Sequence, residues 1–218
     1  MKDKLKISAV IELNASEYTD EEYPYPNGSR YEFPREWRDY WKTSLKDSGL
    51  TEVEQIITGI PFVNIATIED SELNTIVEVQ LADTSLENLE EIIPFEGGIV
   101  VELNDLNIIP QCCVSLSDFQ EWEEILKCEP NEWTQIWIGH PWIFARIKNN
   151  SIEFSDYCEQ NNWDNGPKFS IDFESFKEAF GVMSKEIKDF KMRVVKALKK
   201  KEVVNSTRIA DVLVNKSY

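Results

Sequence analysis

The residues able to do covalent chemistry are few. Cys112 and Cys113 are adjacent, and His140 is the one histidine of the chain. A cysteine nucleophile needs a base that turns thiol into thiolate, and an imidazole can do this near neutral pH. If strands bring them together, Cys112 or Cys113 would attack, His140 would take the proton, and a carboxylate such as Asp118 would orient the ring. That chemistry belongs to a cysteine-dependent enzyme. No strand-turn-helix elbow and no glycine-rich oxyanion loop accompanies the pair, so catalysis is the second reading and not the first.

Cys112, Cys113, Cys128, Cys158 and His140 are also the raw material of a zinc site. Structural zinc sites use C-x₂₋₄-C or H-x₃₋₅-H spacing, which lets one turn present two ligands. Here the only close pair is adjacent, and neighbouring side chains on an extended chain point apart. No metal and no cofactor is expected. The phosphate-cradling patterns G-x-x-x-x-G-K-[ST] and G-x-G-x-x-G are absent, and the abundant carboxylates single out no acid-base couple for glycoside chemistry. Four cysteines in 218 residues, without a leader, are expected to be free and buried in a reducing compartment.

A second constellation concerns recognition. The chain carries 40 acidic and 23 basic residues, a net charge of −17. Such a field repels nucleic acid and anionic membranes and attracts basic proteins. The charge is uneven, because residues 185–216 hold ten Lys or Arg and only four Asp or Glu. Tyr18, Tyr23, Tyr25 and Tyr31 stand around Asp20, Glu21 and Glu22, and tyrosines among acids suit a basic protein surface. Glu87, Glu90 and Glu91 form another acidic stretch. Trp133, Trp137, Trp142 and Trp163 cluster, and most are expected in the core. Trp142 after Pro141, or Trp163 in a polar loop, could instead be exposed anchors. The expected partner-binding set is Asp20, Glu21, Glu22, Glu87, Glu90, Glu91 and Trp163.

These residues need a scaffold, and periodicity outlines one. Alternation predicts a strand over residues 5–13, then a long ordered acidic loop over 14–33. Pro34, with Trp37, Trp41 and Leu45 at four-residue spacing, predicts a helix closed by Gly49. Thr51-Glu52-Val53-Glu54 predicts a capped short helix to about Thr58. Strands are expected over 62–68 and 75–82, with a helical or irregular link over 83–93. Asn104-Asp105 predicts a hairpin between 99–103 and 106–110, and Asn149-Asn150 a second between 143–148 and 151–155. Ser117 to Gln120 reads as a capping box for a helix carrying Phe119, Trp122, Ile125 and Leu126. Residues 133–139 read as another strand and 157–168 as a polar loop. Phe173, Phe176, Phe180, Met183, Ile187, Phe190, Val194 and Ala197 predict a helix of ~26 residues, capped by Asp172 and lying across the sheet. The alternative use of that stripe is a dimer seam. A short helix is expected over 206–215.

Gly97 to Leu103, Pro110-Gln111-Cys112-Cys113, Trp133 to Trp137 and Ile138-Gly139-His140-Pro141-Trp142 together resemble an uncharacterised bacterial family associated with the immunity partners of polymorphic toxins. The resemblance covers roughly residues 95 to 156. It implies a non-catalytic partner of a toxin domain and assigns no role to the Pro-Gln-Cys-Cys or Gly-His-Pro-Trp strings.

The expected fold is a single α+β domain over 1–218, mainly antiparallel with hairpins, packed by a long amphipathic helix in a basic region at about 172–218. The longest apolar stretches are far below the ~18 residues of a membrane span, and the N-terminus has no leader pattern, so a cytoplasmic protein is expected. The leading function is an immunity protein that neutralises a cognate toxin by stoichiometric occlusion, as monomer or dimer, without nucleic-acid or membrane partners. The alternatives are the cysteine enzyme and a dimeric scaffold joined through the long helix.

Overall fold

A computed structural model of the chain describes residues 5–82, 84–86, 88–104 and 106–215. The expected α+β architecture is present, as two antiparallel four-stranded sheets and five α-helices. The chain divides into two compact units. One holds the strand residues up to Ala9 together with Glu96–Glu186, and the other holds Val10–Phe95 with the residues from Ile187 onward.

Strand β1, Leu5–Glu12, buries Ile7, Ala9, Val10 and Ile11. The unit boundary falls inside it. In the second unit Val10 to Glu12 pair antiparallel with β2, Phe62–Asn64. The sheet then continues through β3, Gly97–Leu103, and β4, Leu106–Ile108, in the order β2-β1-β3-β4. The expected hairpin is confirmed by the Leu103 to Leu106 register, with Asn104 at φ 54°. Asp105, the other predicted turn residue, lies outside the described residues.

In the second unit, Pro34 opens α1, Pro34–Asp47, where its missing N–H costs nothing. Trp41 and Leu45 face the core. Helix α2, Asp70–Leu81, replaces the strand expected over 75–82. The β-branched run Thr75-Ile76-Val77 misleads there. Leu73, Ile76 and Val77 are buried at helical spacing, and Asp70 and Glu72 sit in the first turn, where acids are favoured. The short helix expected after Thr51 does not form. The Glu72 carboxylate accepts the N–H groups of Glu52 and Val53 at 2.8 and 3.2 Å, and Glu54 is drawn into ion pairs with Arg38 and Lys42. Tertiary partners thus consume the groups that a capping box would use. Residues 83–93 are irregular where described, apart from a single 3₁₀ turn, Leu89–Glu91.

The first unit's other sheet runs β5, Thr134–Ile136, β6, Ile143–Lys148, β7, Ser151–Phe154, and β8, Phe169–Asp172, each antiparallel to its neighbour. Asn149 and Asn150 at φ 49° and 61° close the expected β6-β7 hairpin. Strand β8 is absent from the periodicity reading because its four residues abut the polar loop and the helix cap. Helix α3, Glu121–Ile125, is preceded by a 3₁₀ turn, Leu116–Gln120. Its capping box starts at Ser115 rather than Ser117, with the Ser115 N–H donating to Asp118 at 2.8 Å.

Helix α4, Phe173–Lys200, matches its predicted stripe, and the Asp172 carboxylate accepts the Ser175 N–H at 2.9 Å. In the first unit Phe176 packs against Phe154 at 6.2 Å between ring centres. In the second, Phe190 packs against Phe95 at 5.8 Å, and α5, Ser206–Asn215, buries Ile209, Val212 and Leu213. Phe176, Phe180, Met183, Ile187, Phe190 and Val194 are all buried within the single chain. The stripe is therefore core, as a helix packed on its own fold requires. Among the described residues no helix is long and apolar enough to cross a membrane.

Candidate functional site

The acidic loop is held by its neighbours in the second unit. The Trp41 indole donates to the Leu13 carbonyl at 2.7 Å, and the Ser48 hydroxyl to the Tyr18 carbonyl at 2.6 Å. Tyr18 is buried, and burial pushes its phenol pKa far up. Asp47, at the end of α1, accepts from the Thr19 and Tyr23 hydroxyls, and that bond raises the Tyr23 pKa. The Trp37 indole donates to the Gly28 carbonyl at 3.1 Å. Tyr25 meets Tyr40 and Trp37 at 5.1 and 6.3 Å between ring centres. These anchors give the loop a fixed shape despite its polar sequence.

The shape is concave. Asp20, Glu21 and Glu22 line a cavity of about 600 Å³ together with Tyr23, Tyr25 and Tyr40. The three acids are exposed. Among the described residues no ion pair reaches them, whereas Glu54, Asp70, Glu78 and Asp211 of the same unit are all paired with cations. Tyr40 is the lining residue that sequence reasoning missed. Its signal was present, since it lies three residues after Trp37 on one face of α1. Desolvation, then a hydrogen bond with Tyr25, raises its pKa. The Arg30 guanidinium stands 5.2 Å from the Trp37 ring centre, so the aromatic group already holds one cation of the chain itself.

The other predicted partner residues are not brought to this cavity. Glu90 and Glu91 are exposed on the turn Leu89–Glu91. Glu87 lies outside the described residues. Trp163, in the first unit, is half-buried. It donates to the Gly166 carbonyl at 3.1 Å and meets Trp133 edge-on at 6.5 Å. Trp133 and Trp137 are likewise only half-buried, which corrects their expected place in the core, and Trp142, for which exposure was the alternative, is half-buried too. Trp41 and Trp122 are the deeply buried indoles.

In the first unit the structure brings Cys112 and His140 together as a backbone bridge. The His140 N–H donates to the Cys112 carbonyl at 3.1 Å, and the Gln111 N–H donates to the Ile138 carbonyl at 2.6 Å. The two strands approach so closely because Gly139, at φ 97°, has no side chain. A Cβ there would lie 2.3 Å from the Cys112 carbonyl oxygen. The His140 ring packs between Trp137 and Trp142 at 5.0 and 5.2 Å, and the His140-Pro141 peptide is cis.

The cysteines correct one expectation. Cys112 and Cys113 are exposed and Cys128 is half-exposed, so among the four only Cys158 is buried. Cys113 takes φ 66°, a left-handed conformation. The neighbouring Cys112 first of all, then desolvation and the Glu96 carboxylate, raise the Cys113 pKa. A nucleophile needs the opposite. The Cys112 thiol is directed at the His140 carbonyl oxygen, 3.5 Å away, rather than at the imidazole. Among the described residues no group of three or more His, Cys, Asp or Glu side chains is placed to hold a metal ion. Asp118, the proposed orienter of the ring, instead bonds to Ser115.

No family model, no curated protein and no solved structure matches the chain.

Proposed function

We propose that this chain is a non-catalytic binding protein that presents the concavity around Asp20, Glu21 and Glu22 to a basic protein surface. The observation that carries this reading is the set of exposed acids, without an ion pair among the described residues, held on a fixed frame beside Tyr23, Tyr25 and Tyr40. Carboxylates attract a lysine or arginine side chain from a distance, and tyrosine rings supply rigid contact area at small entropic cost. A preordered loop also avoids an ordering penalty on binding. Together with the resemblance of residues 95–156, this favours an immunity protein of the bacterial cytoplasm that occludes a basic toxin domain.

Cysteine-dependent catalysis has proximity in its favour and little else. Cys112 and His140 are neighbours, but neither thiol is shown donating to the ring, and the Cys113 proton is held more tightly than usual.

The test is bacterial co-expression with the toxin domain encoded by the adjacent gene. The unaltered chain restores growth. A D20K/E21K/E22K variant with an unchanged circular dichroism spectrum fails to do so. Rescue by the reversed variant would overturn the assigned surface, and failure of the unaltered chain would overturn the immunity reading.

A further inference from the structure

In a chain of net charge −17, one cavity is lined mainly by cations. It lies within the second unit, between the start of α2 and the last turns of α4, and measures about 220 Å³. At ~30 Å³ per molecule, that is room for roughly seven waters. The buried residues of its lining, Leu73 and Ala197, are apolar, and the rest are polar or charged. Arg193, Lys196 and Lys200 are set against one carboxylate, Asp70, so three cations less one anion leave a surplus of two positive charges.

The hydrogen-bond donors of these cations are unequally used. Arg193 donates through Nε to Asp70 at 2.8 Å and through its other two nitrogens to the Ile65 and Ile68 carbonyls, so it supplies charge from a fixed position. Lys196 gives one of its three N–H bonds to Asp70, also at 2.8 Å, and two remain. Among the described residues no ion pair takes Lys200. The other acids of α2 are engaged elsewhere, Glu72 with the Glu52 and Val53 N–H groups and Glu78 with Lys201 at 2.7 Å. Lys200 follows Lys196 by four residues, one turn along the same face of α4. Ser71, exposed on the α2 side, adds a hydroxyl. We infer that this cleft binds a small diphosphate anion, its two phosphate groups taken by Lys196 and Lys200 beside the fixed guanidinium of Arg193. Two ammonium groups a helical turn apart suit two linked phosphates better than one. A long polyanion such as nucleic acid is repelled by the charge of the whole chain, whereas a small anion meets mainly the local field, because salt screens the distant acids. This inference does not depend on the acidic concavity.

The experiment is titration of the full-length, ¹⁵N-labelled protein with sodium pyrophosphate, followed by amide NMR. The expected result is saturable binding of one anion per chain, with shifts at residues 70–74 and 193–200. Lys196→Gln and Lys200→Gln each weaken binding by about tenfold with an unchanged circular dichroism spectrum. Lys199→Gln, which removes an exposed lysine outside the cavity, leaves it unchanged. Orthophosphate binds more weakly than pyrophosphate, because it cannot reach both ammonium groups with a phosphate each. Adenosine diphosphate separates the two sources of the same group. Tighter binding than pyrophosphate assigns the site to a nucleotide, equal or weaker binding assigns it to the free anion, and either supports the cleft. Shifts that never saturate, orthophosphate binding as tight as pyrophosphate, full affinity in either cleft variant, or an equal loss in Lys199→Gln would overturn the site.

Discussion

At Gly139 the backbone has no room for a side chain. The φ of 97° is a glycine conformation, and the neighbouring Cys112 and Gln111 backbone atoms occupy the place of a Cβ. Gly139→Ala is expected to lower stability by at least about 1–3 kcal/mol through backbone strain alone, read as a lower urea midpoint. An unchanged midpoint would mean that the two strands can part at no cost. The Cys112 and His140 neighbourhood was legible as a pairing of residue types. Its geometry was not, since the backbone bridge depends on Gly139 at φ 97° and a left-handed Cys113, and no periodicity signals either.

Among the elements, α2 and α4 show where sequence patterns succeed and fail. The eight-residue stripe of α4 is long enough for helical spacing to dominate. Helix α2 is shorter and rich in β-branched residues, so its type is decided by tertiary partners. Asp70, its first residue, accepts from Arg193 and Lys196 of α4, each at 2.8 Å, and Arg193 also bonds to the Ile65 and Ile68 carbonyls. Lys196 and then Arg193 hold the Asp70 carboxyl at a pKa of about 2. A carboxyl whose pKa is lower folded than unfolded stabilises the fold above its unfolded value, near 4, and the contribution disappears as pH falls towards 2. The side chain is 53% exposed, so solvent screening limits the gain to about 1 kcal/mol or less. Asp70→Asn is expected to lower stability by that amount at neutral pH. The difference from the unaltered chain should shrink in high salt and vanish by about pH 2. Thermal unfolding at pH 7, 4 and 2.5 tests this, and a difference that grows on acidification would contradict it.

For the molecule as a whole, charge is placed unevenly along the chain. Between Lys46 and Lys127 the sequence has eighteen acids and no base, and between Lys6 and Arg30 it has five acids and no base. The basic C-terminal stretch is not a free arm. Within the second unit Arg193, Lys196 and Lys201 are committed to Asp70 and Glu78, and Lys191 to Asp211. Among the described residues the acids at 20–22 receive no such partner. The acidic character and the loop were readable from composition, as were the tyrosines within it. Tyr40 carried only the signal of sharing a helix face with Trp37 and Asp47 carried none, because both lie on α1 and reach the loop only through tertiary folding. The most direct measurement of the central claim is an amide NMR titration of the ¹⁵N-labelled chain with deca-arginine at low ionic strength. The account predicts that shifts concentrate at residues 16–25 and Tyr40, fade with added salt and disappear in D20K/E21K/E22K. Shifts spread evenly over every acidic segment, or unchanged in the reversed variant, would contradict it.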